Sequence, residues 1–517
     1  MREDEQAEVI RFLESASTHG GAVVERVDTH ASVVFLAGAL AWKLKRAVRY
    51  DYLDFSTPER RRQMCERELA INRRTAPALY RRVTAITRQP DGRLALAGSG
   101  AAVDWVIEMT RFDGDGLLDR LAATGALDLE LMAPLAKSIA HLHASADKRP
   151  DHGGRAGMAW TIDGNAAAFA TATQVFDREE AQRLTTAAVA ELDRRGARLD
   201  RRRDAGLVRQ CHGDLHLRNI VLLDGIPTLF DAIEFNDEIA CIDVLYDVAF
   251  LLMDLWRRRL PRHANAILNE YLRAAPDVDG LALLPLFLSC RAAVRAKTGA
   301  AAAALASAAD RHQELERTAR EYLALATGLL RPPPPALVAV GGLSGSGKST
   351  LARDLAPFVG ATPGAVIVRS DEIRKRICGV ASTRLGAEGY TPTVSAQVYA
   401  AACEQAACVI ASGHSVIVDA VFARSHDREA IERVAATAGV PFAGVWLEAA
   451  ASLLVQRVET RRPDPSDADA DVVRSQIAAG VGSLAWPRLE TSGVPEDVAA
   501  AALGYVRARG VECAPTT

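Results

Sequence analysis

An apolar run, Leu337-Val338-Ala339-Val340, leads into Gly342-Leu343-Ser344-Gly345-Ser346-Gly347-Lys348-Ser349, and from Thr350 onward the chain reads as a helix. Strand, glycine-rich turn and helix in this order constrain the fold to a βα unit whose loop wraps its N–H groups around an anion at the helix N-terminus. The pattern is G-x-x-x-x-G-K-[ST]: glycines permit the wrap, Lys348 adds charge at the β- and γ-phosphates, and the Ser349 hydroxyl is a ligand for Mg²⁺. Gly342, Ser344, Gly345, Ser346, Gly347, Lys348, Ser349 and Thr350 are therefore candidate contacts to ATP. The loop begins only at residue 342 of 517.

So long a chain exceeds what one hydrophobic core supports. Arg331 followed by Pro332 to Pro335 marks the clearest boundary, because consecutive prolines cannot continue a helix. This predicts a domain over 1–330, a linker over 331–335 and a second domain over 336–517. Downstream, short β-branched runs at 337–340, 365–369, 415–419 and 442–448 alternate with amphipathic segments, the pattern of an α/β fold with a parallel sheet and ligands at the strand carboxyl ends. Residues 262–330 read as helical.

A net charge of -3 argues against a general nucleic-acid or membrane-surface binder. The basic clusters Lys43 to Arg49, Arg60 to Arg62, Arg201 to Arg203 and Arg257 to Arg259 read as solvated faces. The start, MREDEQAEVIRFLE, lacks the basic and apolar parts of a signal peptide. Apolar stretches near 281–290 and 299–309 are short or alanine-rich, and read as buried helices rather than membrane spans. The 8 cysteines contain no C-x-x-C pair, consistent with reduced thiols in a cytoplasmic protein.

A second signature lies upstream. CHGDLHLRNI at 211–220 sets His212, Asp214 and Asn219 in the order His-x-Asp-x-x-x-x-Asn, and a strand-turn-strand around Asp224-Gly225 then ends in Asp231. In protein kinases such an Asp accepts the hydroxyl proton of the acceptor, while the Asn and the later Asp hold metal. Asp231-Ala232-Ile233-Glu234 replaces Asp-Phe-Gly, and with IDVLYD at 242–247 the segment resembles the aminoglycoside phosphotransferase family. That resemblance implies an α+β protein-kinase-like fold over the N-terminal domain, Asp214 as catalytic residue, Asn219 and Asp231 at the metal, and Asp247 as a support of the catalytic loop. It also implies a phosphate-binding lysine on an early strand and a helix glutamate. VVFLAGALAWKLKR at 33–46 offers Lys43 and Lys45 on one face, with Lys43 favoured; PERRRQMCERELAINRR offers Glu66 and Glu68, with Glu68 favoured. DWVIEMTRF at 104–112 resembles the adenine-binding strand and hinge. Thr29, His30 and Ser32 stand where protein kinases carry glycines.

In the C-terminal half, Arg369-Ser370-Asp371-Glu372-Ile373-Arg374-Lys375 ends the second strand, where a carboxylate meets the acceptor hydroxyl. Asp371 is the candidate base or substrate ligand, with Arg374 near it for an anionic group; the alternative is a helix N-cap formed by Ser370 or Asp371. Asp419 ends VIVD as a metal-shell candidate. Arg457, Arg461 and Arg462 precede a Pro/Asp-rich stretch that reads as an arginine lid, with Arg461 the catalytic candidate. The series resembles small P-loop kinases related to gluconate kinase, zeta-toxin-type kinases and polynucleotide 5′-kinases, with a nucleoside-monophosphate-kinase-like fold.

The expectation is an ATP- and Mg²⁺-dependent phosphotransferase with two kinase-type sites, acting on hydroxyls of small sugar or aminosugar-like molecules. Two alternatives stand beside it: an N-terminal domain that binds ATP to regulate the other, and a polynucleotide 5′-kinase, against which the absence of a strongly basic, aromatic-rich groove counts.

Overall fold

The computed structural model describes residues 3–50, 52–380, 385–460 and 469–512. They form two compact units: residues 1–164 with 189–254, and residues 165–188 with 255–517. The proline segment lies within the second unit, because the helices after residue 255 pack with the phosphate-loop sheet.

The first unit is built on a six-stranded antiparallel sheet, in which Leu40–Lys45 lies between Ser32–Ala37 and Ala101–Thr110. Side chains alternate across a strand. Trp42 and Leu44 therefore join Val9 and Leu13 of the helix Glu3–Glu14 in one core, and Ala41 joins Cys65 of the helix Pro58–Asn72 in another. Lys43 and Lys45 share the second face. Thr57 caps that helix by accepting from the Arg60 N–H, with Pro58 at its first turn.

Two of the expected solvated clusters hide their middle arginine. Arg61 is fully buried and grips Asp104 through Nε at 2.7 Å and Nη2 at 2.9 Å; Arg202 does the same to Asp243 at 2.7 and 2.9 Å. Composition cannot reveal this, since it depends on a carboxylate brought from a distant strand.

The Asp224-Gly225 hairpin forms as expected, with φ of 49° and 80°, joining Ile220–Leu223 to Ile226–Leu229. A second small ladder pairs Val208–Gln210 with Cys241–Asp243. Between them runs the segment that carries Asp214 and Asn219.

In the second unit all four predicted strands form, and Arg488–Glu490 adds a fifth. The parallel order is Val366–Arg369, Val416–Asp419, Leu337–Gly342, Phe442–Glu448, Arg488–Glu490. Val338, Val340, Ile417, Val445 and Leu447 form its core with Leu351, Leu355 and Val506. Along the edge strand lies the helix Pro261–Ala274. Asn269 accepts from the Ile367 N–H at 2.7 Å, and Asn265 and Asn269 donate to the Ala365 carbonyl at 3.0 and 3.2 Å. Two asparagines one turn apart thus satisfy an edge that would otherwise pair with another chain.

The stretch 299–309 differs from the expected buried helix: Leu305 is 80% exposed and the helix ends there. Among the described residues one helix, Pro392–Ala411, is long and apolar enough to cross a membrane. Its Val398, Ala402, Ala406 and Val409 are buried within the protein.

Candidate active sites

In the first unit the structure assembles the residues that the sequence placed far apart. Lys43 Nζ donates to Glu68 Oε1 at 2.7 Å and to Asp231 Oδ1 at 2.5 Å. Glu66 is exposed and pairs with Arg62 at 3.0 Å, so Glu68 is the helix carboxylate at the lysine. Lys45 is also present, but buried: it reaches Glu68 Oε2 at 2.6 Å and pairs with Glu234. Only Lys43 keeps an opening, with 14% of its side chain exposed against 1% for Lys45.

Burial disfavours both ammonium groups, yet the carboxylates of Asp231 and Glu68 hold Lys43 well above its usual pKa, and Glu234 and Glu68 raise that of Lys45. Burial pushes Glu68 up, but the two lysines outweigh it and bring it down to about 2. Lys43, Lys45 and Glu68 are therefore charged at neutral pH. The pairing of Lys45 with Glu234 was not foreseen; Glu234 stands three residues after Asp231, but the pairing needs the fold.

Asp214 and Asn219 meet directly. Asn219 Nδ2 donates to the Asp214 carboxylate and carbonyl, both at 2.9 Å. Asp247 is buried and receives the N–H groups of His212 at 3.1 Å and Gly213 at 2.9 Å, with His143 Nε2 at 3.0 Å. The loop backbone is therefore held from below, which is the support expected of Asp247. His212 is buried and braces the Phe230 carbonyl at 2.9 Å, just before Asp231. Burial lowers its pKa, keeping it neutral. Asp231 adopts a left-handed φ of 61°, with its N–H on the Tyr80 hydroxyl at 3.2 Å.

In the second unit the loop Gly342–Ser349 closes on itself. Gly345 has φ of 82°, and a β-carbon there would lie 2.5 Å from the Leu454 carbonyl, so a side chain is excluded. The buried Ser346 Oγ has no hydrogen-bond partner among the described residues, an orphaned donor inside the loop. Lys348 Nζ donates to the Leu343 carbonyl at 3.0 Å. Ser349 Oγ donates to Asp419 Oδ2 at 2.5 Å. These fit the expected ligands: a glycine-rich loop that opens the helix Lys348–Leu355, and two hard oxygen donors side by side of the kind Mg²⁺ takes. In the first unit Asn219, whose amide nitrogen makes the Asp214 bond, and Asp231 offer oxygens of the same hard kind.

A cavity of about 310 Å³ opens on Gly345, Ser346, Gly347 and Thr350 and extends to Arg457, Thr491 and Pro495. Arg457 is held by the Thr491 carbonyl at 2.5 Å and hydroxyl at 3.2 Å. Asp371 stands in the first turn of Ser370–Ile377, partly buried. Arg374 is committed elsewhere: it is buried, donates to the Gly389 carbonyl at 2.7 Å and lies over the Tyr390 ring. Arg461 and Arg462 lie outside the described residues.

Two further residues join this site. Arg369 Nη2 donates to Ser349 Oγ at 3.0 Å, while its Nε lies 3.4 Å from Asp419. Gln476 accepts from the Ser344 N–H at 2.9 Å and donates to Ser344 Oγ at 3.1 Å. Arg369 was legible as the neighbour of Ser370-Asp371; Gln476 carried no signal, since it enters from a helix 132 residues downstream.

Residues 40–284 match the family model described as the phosphotransferase enzyme family, and residues 337–483 match that of an AAA domain. Over 478 residues the chain is 28% identical to an uncharacterized protein of Mycobacterium tuberculosis, covering 91% of this chain and 92% of that one. An amicoumacin kinase in complex with AMP-PNP and Ca²⁺ is 14% identical with a TM-score of 0.39, covering 63% of this chain and 96% of its own. A gluconokinase from Sinorhizobium meliloti is 21% identical with a TM-score of 0.25, covering 34% and 93%. The chain thus carries one region that matches the phosphotransferase enzyme family and a P-loop region that matches an AAA domain, and is a phosphotransferase enzyme.

Proposed function

We propose that both domains transfer the γ-phosphoryl group of ATP to hydroxyl groups of small molecules of the sugar or aminosugar class, in a cytoplasmic setting. The observation that carries this reading is the contact of Asn219 with both the carboxylate and the carbonyl of Asp214, beside the Lys43, Glu68 and Asp231 cluster. A domain that merely bound nucleotide would have no use for a carboxylate oriented in this way.

Asp214 would hold the acceptor hydroxyl and take its proton, with Asn219 fixing the carboxylate rotamer. Lys43 would turn from Asp231 toward the α- and β-phosphates while Glu68 keeps it in place, which frees the Asp231 carboxylate. In the P-loop domain Lys348 and the loop N–H groups would hold the β- and γ-phosphates, and Asp371 would meet the acceptor. Asn219 and Asp231 would hold Mg²⁺ in one domain and Ser349 and Asp419 in the other, where the ion would offset phosphate charge.

The test is a screen of sugars, amino sugars and aminoglycosides for ATP consumption by the full chain and by its Asp214→Ala and Lys348→Ala variants. Each variant should lose one acceptor-dependent activity and keep the other. Full turnover by both variants with every acceptor would overturn the reading, and loss in Lys348→Ala alone would assign the N-terminal domain a regulatory role.

A further inference from the structure

A cavity of about 540 Å³ lies in the second unit, separate from the phosphate loop, among the helices that precede the proline segment. Its charged lining is lopsided: Arg257, Arg259, Arg317 and Arg331 face a single carboxylate, Glu321. Arg257 and Arg317 both lean on Glu321, the latter at 3.2 Å. Among the described residues Arg259 and Arg331 have no carboxylate partner. Arg257 Nε is buried and has no hydrogen-bond acceptor among the described residues. Between these groups the wall is apolar, made by Trp256, Leu288, Leu325, Leu329 and Pro332.

The local fold explains how the cations gather. The helix Val244–Arg257 ends in a left-handed turn at Arg259, φ 60°, where the N–H groups of Arg259 and Leu260 return to the Trp256 and Leu255 carbonyls at 3.0 Å each. Glycine usually fills such a position. Here an arginine does, and the turn brings it onto the same cavity as Arg257. Arg331 arrives from the end of the helix Ala309–Leu329, and the prolines after it fix the direction of the chain. Arg257 and Arg259, in a run that composition assigns to solvent, instead line a pocket.

We propose that this cavity binds a phosphomonoester with an apolar or aromatic body. Several guanidinium groups with one shared counter-charge suit a dianion, and their planar forks match phosphate oxygens two at a time. The volume falls in the range of small-molecule sites, and apolar walls with a few convergent polar groups are their usual lining. A second, non-catalytic ligand site of this kind is independent of which acceptors the two kinase domains use.

The probe is 1-naphthyl phosphate, with uncharged 1-naphthol as control, titrated calorimetrically into the full chain saturated with AMP-PNP and Mg²⁺ so that both nucleotide sites are filled. The expected result is binding of the phosphate but not of the naphthol, weakened at least tenfold in the variant carrying Arg259→Ala and Arg331→Ala. Both arginines are exposed, so the melting temperature should stay put. Ala324→Trp, an exposed position lining the cavity, should block binding by filling the space. The proposal is overturned if naphthyl phosphate binds no better than naphthol, or if its affinity survives both the double arginine variant and Ala324→Trp.

Discussion

Arg369 donates to the hydroxyl of Ser349 across 3.0 Å while its Nε faces Asp419 at 3.4 Å, so one guanidinium bridges the two oxygen donors beside the phosphate loop. Its far side meets Glu372 at 3.5 Å, and Glu372 is held in turn by Arg273 at 2.9 Å. A fork with several donors makes this bridge; an ammonium group cannot. Arg369→Lys and Arg369→Ala should both cut kcat/KM of the P-loop reaction by about a hundredfold, on the scale of a lost electrostatic contact in a preorganised site. Steady-state kinetics with the matched acceptor checks this, and an unchanged rate in the alanine variant would remove Arg369 from the site.

Lys43 and Lys45 share Glu68 but differ in what their loss leaves behind. Lys45→Met takes the lysine partner from the buried Glu234 and leaves Glu68 with Lys43 alone, and should cost about 3–5 kcal/mol of stability, as breaking a buried ion pair does. Lys43→Met leaves Glu68 paired to Lys45 and Asp231 partly exposed. It should lower the activity of the N-terminal domain much more than its melting temperature. Urea denaturation beside single-turnover rates separates the two, and the reverse pattern would make Lys45 the phosphate-binding lysine.

Gln476 Oε1 accepts from the Ser344 N–H at 2.9 Å. Gln476→Glu would put a negative charge at the same place, competing for the N–H and repelling phosphate. ATP affinity at the P-loop site should fall about tenfold or more, measured by titration in an Asp214→Ala background. An affinity equal to that of the parent would show that Gln476 leaves the loop when ATP binds.

His414 gives the second unit an acid limit. Burial lowers its pKa to about 4 from an ordinary 6.5, and Nε2 donates to the Gly364 carbonyl at 2.8 Å. The folded form therefore resists a proton that the unfolded chain accepts. The contribution is complete above pH 6.5 and is lost progressively as pH falls toward 4, by about 3 kcal/mol in all. Thermal melts from pH 7.5 to 4.5 should show a steeper acid decline in the parent chain than in His414→Gln. Parallel pH profiles would sink the assignment.

Both kinase signatures were legible as strings because their chemistry is local: the turn glycines, Lys348 and Ser349 fall within one loop, and Asp214 and Asn219 within another. Strand periodicity likewise located four of the five strands in the second unit, since each is a buried β-branched run. Arg488–Glu490 escaped because a three-residue edge strand carries no such run.

What the chain determined by itself is therefore the set of short-range units: the glycine-rich loop at 342–349 and the loop carrying Asp214 and Asn219, their flanking strands and helices, and the choice of Lys43 and Lys45 as residues of one face. Tertiary structure decided the pairings. Glu68 rather than Glu66 meets the lysines because of the helix's rotation against the sheet, and Asp104 and Asp243 turn Arg61 and Arg202 from surface charges into buried ones. It also placed Gln476 and Arg369 at the phosphate loop and gathered Arg257, Arg259 and Arg331 around a cavity. Such contacts join residues tens to more than a hundred positions apart, and a charge's partner at that distance leaves no period or spacing in the sequence.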